Sequence, residues 1–236
     1  MMKIKQMNSL TARHFDIRFL PEMLLENLPP RPLAFADFGC GDGPFFYILE
    51  DKGFVSSAKP VYAVDLQQKR LDRIKSRFPS IIPLQCSVES VPFIPENTLD
   101  FLVSTMVMEH VEDENKYLDE IRRVLKPGGK AYITTVYKKS WAWYFRKRQG
   151  HSVLDVSHLR EYTNLSEFKA LLMKDSRFKT ILAFEVTGLW FSLIDPILSW
   201  TLRKKEISKL SRLHQILRFF KVPIPGYFKL SIIVQK

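Results

Sequence analysis

The sequence holds only two cysteines, Cys40 and Cys86, in 236 residues. That excludes a disulfide scaffold, and a chain of this length builds a core without one. No apolar stretch reaches the roughly 20 residues that a spanning helix needs. The nearest, Gly188–Leu202, is interrupted by Asp195-Pro196, so no transmembrane span is expected. The start, Met1-Met2-Lys3-Ile4-Lys5-Gln6, has no apolar run behind its lysines. No signal peptide is expected there, and the cytoplasm is the expected compartment. There is no internal repeat and no low-complexity tract. Hydrophobic residues make up 46% and charged residues 26%, which excludes a disordered polymer, a collagen-like repeat and a coiled-coil rod.

Acidic residues are few as well, 25 against 36 Lys and Arg, for a net charge of +11. The imbalance is local. Residues 200–236 carry nine basic residues and one acid, Glu206, and residues 138–148 carry five basic residues and no acid. A basic patch of this kind suits a polyanion, either nucleic acid or an anionic membrane surface, in which case the protein sits peripherally on the membrane. A merely solvated basic face is the competing reading.

What is present is an alternation. Apolar runs at Leu33–Phe38, Val61–Leu66, Ile81–Cys86, Leu99–Met106 and Lys130–Val136 read as strands. Helical patterns lie between them: 44–52, Gln67–Phe78 with Leu71, Ile74 and Phe78 on one face, and Asn115–Leu125 with Tyr117, Leu118, Ile121, Val124 and Leu125 inward. Strands apolar on both faces and separated by helices imply a parallel sheet covered on both sides, hence an α/β doubly wound fold. A helix is also expected over 9–28, interrupted near Pro21, and another over Ser166–Met173. Further strands are expected at Phe178–Val186 and Tyr227–Val234. Length predicts one domain over 1–236. Its parts are an N-terminal helical segment (1–32), a core (33–137), and a remainder (138–236) with a helical insertion at 189–226.

The first strand runs into Asp37-Phe38-Gly39-Cys40-Gly41-Asp42-Gly43-Pro44. Glycines at 39, 41 and 43 let the chain turn sharply and let a ligand approach without meeting a Cβ, at the N-terminus of a helix. A dinucleotide fingerprint would carry its third glycine at the position of Pro44. The acid inside the loop, Asp42, would repel a pyrophosphate, whereas Asp37 suits a ligand with a positive group. Asp65, at the tip of the second strand, has the position from which an acid holds both ribose hydroxyls in such folds. Capping of the helix that starts at Gln67 is a compatible role.

These residues resemble the class I S-adenosylmethionine-dependent methyltransferases, nearest to their type 11 group. The resemblance extends through Val91-Pro92-Phe93, Leu99-Asp100-Phe101, Met108-Glu109-His110-Val111-Glu112-Asp113 and Leu125-Lys126-Pro127-Gly128-Gly129-Lys130. It implies a Rossmann-like, mostly parallel seven-stranded sheet with an antiparallel last strand, S-adenosyl-L-methionine as cofactor, and methyl transfer as the reaction. Carried over residue by residue, it implies that Asp37, Gly39, Cys40 and Gly41 surround the methionine part and that Asp65 holds the ribose. Leu66 would pack on the adenine, and the backbone around Met106 would meet the methionine ammonium. One position departs from the pattern. Ser87 stands where the family has an acid for the adenine amino group, so the Ser87 hydroxyl and the Val88 N–H would serve the ring.

Such an electrophile needs an aligned nucleophile, and a base only where the acceptor loses a high-pKa proton. His110, at the carboxyl edge after the fourth strand, is the candidate base; ordering the loop is its other reading. His151, His158 and Tyr162 lie further along, and His158-Leu159-Arg160-Glu161-Tyr162 reads as framework near the substrate side. No Asp/Asn-Pro-Pro-Tyr segment and no Pro-Cys pair exist, which disfavours base-amino methylation and a cysteine-adduct route. No metal ligand set is read from the sequence. Gly188–Leu202, with Trp190 and Trp200, is followed by a basic amphipathic pattern over 203–221. Together they suggest a lid or membrane-facing rim and an acceptor that is a small amphipathic molecule, a lipid or a lipid-linked or glycan precursor. A nucleic-acid acceptor is the runner-up. The sequence names neither the acceptor atom nor an oligomeric state.

Overall fold

The computed structural model describes residues 21–30, 32–51, 53, 59–192 and 221–236. A short helix, α1 (Glu22–Asn27), leads to strand β1 (Phe35–Phe38). Then follow α2 (Pro44–Asp51), β2 (Val61–Asp65), α3 (Gln68–Arg77), β3 (Ile82–Gln85), β4 (Leu99–Thr105), α4 (Glu114–Val124) and β5 (Leu125–Lys138). A small hairpin of β6 (Lys147–Arg148) and β7 (His151–Ser152) precedes α5 (Leu165–Met173), β8 (Thr180–Ser192) and β9 (Lys221–Gln235).

The main sheet has seven strands in the order β3-β2-β1-β4-β5-β9-β8. The first five are parallel, and β9 runs antiparallel between β5 and β8. Alternate strand residues feed two cores. Phe35, Phe101, Tyr132 and Ile233 pack with Leu24 of α1, Phe45, Phe46 and Leu49 of α2 and Leu71 and Ile74 of α3. Ala36, Phe38, Leu102 and Ile133 pack with Tyr117, Leu118 and Ile121 of α4 and Phe168 and Leu172 of α5. Helices among the described residues cover both faces, and the strand order reverses between β1 and β4, the switch point at whose carboxyl ends such folds bind ligands. Side-chain caps fix two of the helices. Asp113 accepts from the Asn115 and Lys116 amides, and Asn164 accepts from those of Ser166 and Glu167.

The last two strands are longer than the sequence pattern suggests, which corrects the insertion bounds of 189 and 226. Leu189–Ser192 continue β8 and Lys221–Gly226 begin β9, with Trp190 opposite Pro223. Pro223 and Pro225 are tolerated because β5 ends opposite Tyr227. Beyond that point one side of β9 needs no ladder donors, and the Pro225 carbonyl on that side accepts from the Trp143 amide at 3.1 Å. The intervening 193–220, with most of the amphipathic pattern at 203–221, lies outside the described residues, as does 9–20 of the N-terminal helix. The β6–β7 hairpin was not expected. Its turn is Gln149-Gly150, both at positive φ (50° and 81°), the conformation that a two-residue hairpin turn requires. Strand β5 also starts earlier, at Leu125, its register shifting between Leu99 and Phe101 to absorb the glycine turn.

Candidate active site

Four strands deliver their carboxyl ends to one edge of the sheet. The loop after β1 turns at Gly39 (φ 70°) and Gly41 (φ 57°). The Gly39 and Cys40 amides donate to the Val64 carbonyl at 2.8 and 3.0 Å, which pins the loop to β2. A Cβ at Gly39 would collide with the Val107 side chain, whereas one at Gly41 would lie 3.7 Å from Arg70. Gly39 is thus required by its own neighbours as well as by any ligand. Asp42 is drawn outward into an ion pair with Arg73. Cys40 is buried and its thiol is raised far above the ordinary value by burial and then by the Asp37 charge, so it is no nucleophile.

Asp37 is buried, and neither of its carboxylate oxygens has a hydrogen-bond partner among the described residues. Burial, and secondarily the charge of Asp65, hold it well above the ordinary carboxylate range. A buried carboxylate without partners is costly, and a cationic ligand beside it would offset that cost. Asp65 is also buried. Its Oδ2 accepts from the Gly41 amide at 2.9 Å and its Oδ1 from the Gln67 amide at 2.8 Å, with Arg70 at 3.7 Å. Next to it Leu66 exposes 70% of its surface, an apolar face at the strand tip. On the β3 side, the Ser87 hydroxyl faces Glu89, at 3.2 Å from its carboxylate and 3.2 Å from its amide, and Val88 is buried in the core.

After β4, Met106 adopts φ 55°, a strained conformation for a side chain of this kind. Its amide donates to Thr134, 3.0 Å from the carbonyl and 3.1 Å from the hydroxyl, so the strain is fixed by β5. These features suit S-adenosylmethionine: an orphaned acid for its positive charge, a Cβ-free cradle, an acid at the ribose position and an exposed apolar face.

Three residues past Met106 lies a second group. Glu109 is fully buried; its Oε2 accepts from the Thr135 hydroxyl at 2.9 Å and its Oε1 has no partner among the described residues. Burial pushes its carboxyl up to about 7. The ring of His110 is exposed, stands 4.8 Å from that of buried His158 and holds its Nδ1 3.3 Å from the Ser157 carbonyl. Partial burial, and then His158, lower its pKa. His158 Nδ1 lies 2.8 Å from Glu161 Oε1. Burial would raise Glu161, but His158, the Leu154 amide and Lys138 outweigh it and keep the carboxyl below its ordinary value. Arg160 ties the segment down, donating to the carbonyls of Met108, Val111 and Glu112. The 158–162 segment is therefore framework and something more: it brings His158 to Glu109 and His110. Glu109 is not among the site residues expected from sequence, and no metal ligand set was expected; one ligand-capable atom of each of the three lies within 4.8 Å of the others. The adjacency Glu109-His110 was the available signal; the meeting with His158, 48 residues on, was not.

The same edge carries an aromatic rim. Trp141, Trp143 and Trp190 expose 65%, 58% and 56% of their surface, and Phe145 is exposed beside them in sequence. The rim stands on a small core of Val136, Tyr144, Ile224 and Tyr227. No helix among the described residues is long and apolar enough to cross a membrane.

Residues 36–133 match the family described as "Methyltransferase domain". The biotin biosynthesis bifunctional protein BioHC of Cellvibrio japonicus is 32% identical over 122 residues, which is 50% of this chain and 23% of that protein. The mitochondrial ubiquinone biosynthesis O-methyltransferase of Candida albicans is 29% identical over 165 residues, 66% of this chain and 50% of that one. The chain thus spans half or less of the length of these relatives. Among solved structures, a SAM-dependent methyltransferase from Methanosarcina mazei superposes with a TM-score of 0.60 at 18% identity, covering 92% of this chain and 98% of the other. With the glycine loop, the two acids and the strand order in place, residues 36–133 are a methyltransferase domain similar to those of the class I S-adenosylmethionine-dependent methyltransferases, type 11 group.

Proposed function

We propose that this protein transfers a methyl group from S-adenosylmethionine to an oxygen of a small amphipathic acceptor, taken from or returned to a membrane surface. The observation that carries the acceptor class is the exposed rim of Trp141, Trp143 and Trp190 on the edge that also holds the glycine loop. Lys138, Lys139, Arg146, Lys147 and Arg148 lie in the same stretch. Amphipathic aromatic rings beside cationic groups suit a lipid–water interface. The O-methyltransferase name of the Candida albicans relative supports an oxygen acceptor.

The cofactor, when bound, supplies a methyl on a sulfonium, an electrophile that needs no further activation. In this reading Asp37 balances its positive charge and Gly39, Cys40 and Gly41 leave room for the methionine part. Asp65 accepts from the ribose, Leu66 covers the adenine with Ser87 and Val88 at its edge, and the Met106 turn meets the ammonium. His110, exposed on the loop after β4, is the histidine that an acceptor meets. The chain's main contribution is alignment and exclusion of water, the terms that dominate when the electrophile is already strong.

The same basic residues would serve phosphates of a nucleic acid, and one experiment separates the two. The full chain is incubated with methyl-labelled cofactor and either a total lipid extract or total RNA. Label in the solvent-extracted fraction is expected; label in RNA alone would overturn the acceptor class and leave the methyl transfer standing.

A further inference from the structure

We infer that Glu109, His110 and His158 form a site for a single divalent transition-metal ion, with zinc as its representative. The Ser157 carbonyl and the Glu161 carboxylate face the two Nδ1 atoms as acceptors, at 3.3 and 2.8 Å, which places the N–H of each ring at Nδ1. That leaves Nε2 of His110 and of His158 with a lone pair. The third donor is Glu109 Oε1, buried and without a partner among the described residues, while its Oε2 is oriented by Thr135. Glu109 and His158 are thus held from behind by another group, the arrangement that fixes metal ligands in protein sites, while exposed His110 has only the longer Ser157 contact. Two imidazoles and one carboxylate suit zinc and its first-row neighbours better than magnesium or calcium, which prefer oxygen alone.

Geometry allows it. Donors at about 2.0–2.2 Å from a tetrahedral ion stand roughly 3.4 Å apart. Here one ligand-capable atom of each residue lies within 4.8 Å of those of the other two. Closure falls to the exposed His110 ring, which a side-chain rotation can move; Glu109 and His158 are fixed in the interior. Three protein donors leave a coordination position open. On the proposed methyl-transfer reading, that position takes an oxygen of the acceptor, and His110 serves as ligand and not as base. The binding of the ion itself does not depend on that reading.

The test uses the full chain stripped with a chelator and titrated with Zn2+ alone, then with Co2+ and Mg2+ alone. Zinc should bind with about one equivalent in calorimetry, and cobalt should give the visible absorption bands of a low-coordinate site, with magnesium far weaker. His110→Ala, a substitution of an exposed ring, should weaken zinc at least about tenfold with S-adenosylhomocysteine affinity unchanged, and Glu109→Gln should do the same. Retained S-adenosylhomocysteine binding shows in each case that the variant is folded. Absence of saturable zinc binding in the unaltered chain, or unchanged zinc affinity in His110→Ala, would overturn the site. Neither result bears on cofactor binding or on methyl transfer to the labelled extract.

Discussion

The Asp65 carboxylate and the Gly41 amide lie 2.9 Å apart, so the acid at the tip of β2 holds the glycine loop that follows β1. Its other oxygen takes the Gln67 amide at the start of the next helix. Each carboxylate oxygen retains a further lone pair. Capping the helix, shaping the loop and accepting from a ribose are therefore roles for one side chain. Substitution should act on cofactor affinity in two ways, by removing acceptors and by loosening the cradle. Asp65→Ala should weaken S-adenosylhomocysteine by about 2–3 kcal/mol, the scale of hydrogen bonds to a charged group. Asp65→Asn, which keeps one acceptor oxygen, should lose less. Calorimetry that shows equal affinity for all three proteins would remove Asp65 from the cofactor site.

Asp37 gives the opposite pairing of effects. Its raised pKa means that the unfolded chain releases this proton more readily than the native one. Stability of the ligand-free protein therefore falls as pH rises from the ordinary carboxylate value toward the raised native one. Asp37→Asn should raise the ligand-free melting temperature, by about 1–2 kcal/mol of stability, and weaken S-adenosylmethionine roughly tenfold or more through the lost charge. A variant that melts lower and binds normally would make Asp37 a structural acid.

Gly39 and Gly41 separate folding from binding. A methyl at Gly39 collides with Val107 on top of its positive φ, so Gly39→Ala should lose about 1–3 kcal/mol of stability, partly recovered by adding Val107→Ala. Gly41→Ala meets only the flexible end of Arg70, at 3.7 Å. It should fold with a cost of about 1 kcal/mol from its φ alone and lose cofactor affinity beyond that. Chemical denaturation alongside S-adenosylhomocysteine titration reads both; normal binding by Gly41→Ala would place the cofactor elsewhere.

The parallel core was legible because its strands are continuous apolar runs and its helices carry a clear face: Leu71 and Ile74, or Tyr117, Leu118 and Ile121, are buried as their spacing dictates. The glycine loop and Asp65 were legible because backbone demands there restrict residue type. What sequence did not show depends on tertiary meeting. Glu109 reads as one more charged residue until the fold buries it, and His158 joins it only because Arg160 fastens the later segment to the β4 loop. The extension of β8 to Ser192 was hidden because an apolar stretch with two tryptophans reads equally as a hairpin, and its partner strand begins with two prolines.

Asp100 joins three elements at the opposite edge of the sheet. It accepts from the Ala34 amide at 2.9 Å and pairs with Lys59 at 2.9 Å and Lys126 at 2.5 Å. Burial alone would raise its pKa; Lys126, Lys59 and the Ala34 amide outweigh burial and bring it down to about 2. A depressed native value adds stability above the unfolded pKa, and that contribution is lost as pH falls through the native one. Wild-type stability should therefore drop between about pH 4 and pH 2 by about 2 kcal/mol more than that of Asp100→Asn. Parallel denaturation curves for the two proteins across that window would refute the ion-pair contribution.

The rim at the active edge decides between membrane and nucleic acid. Cationic residues attract both, so low-salt binding is uninformative. Burying Trp141, Trp143 and Trp190 in a bilayer interface contributes roughly 25 cal/mol per Å2 of apolar area, and salt does not screen that term. Contacts with phosphates rest on counterion release and fall steeply between about 50 and 200 mM salt. Co-sedimentation with phosphatidylglycerol-containing liposomes should therefore persist in part at about 0.3 M salt, where the Debye length is only several ångströms. Trp141→Ser/Trp143→Ser/Trp190→Ser should abolish the salt-resistant part and leave a weaker, salt-sensitive one from Lys138, Lys139, Lys147 and Arg148. The exposed positions of these rings make the triple variant compatible with the fold, which circular dichroism and S-adenosylhomocysteine binding would verify. Liposome binding that vanishes by about 200 mM salt in the unaltered protein, with tight RNA binding at low salt, would reassign the rim to nucleic acid.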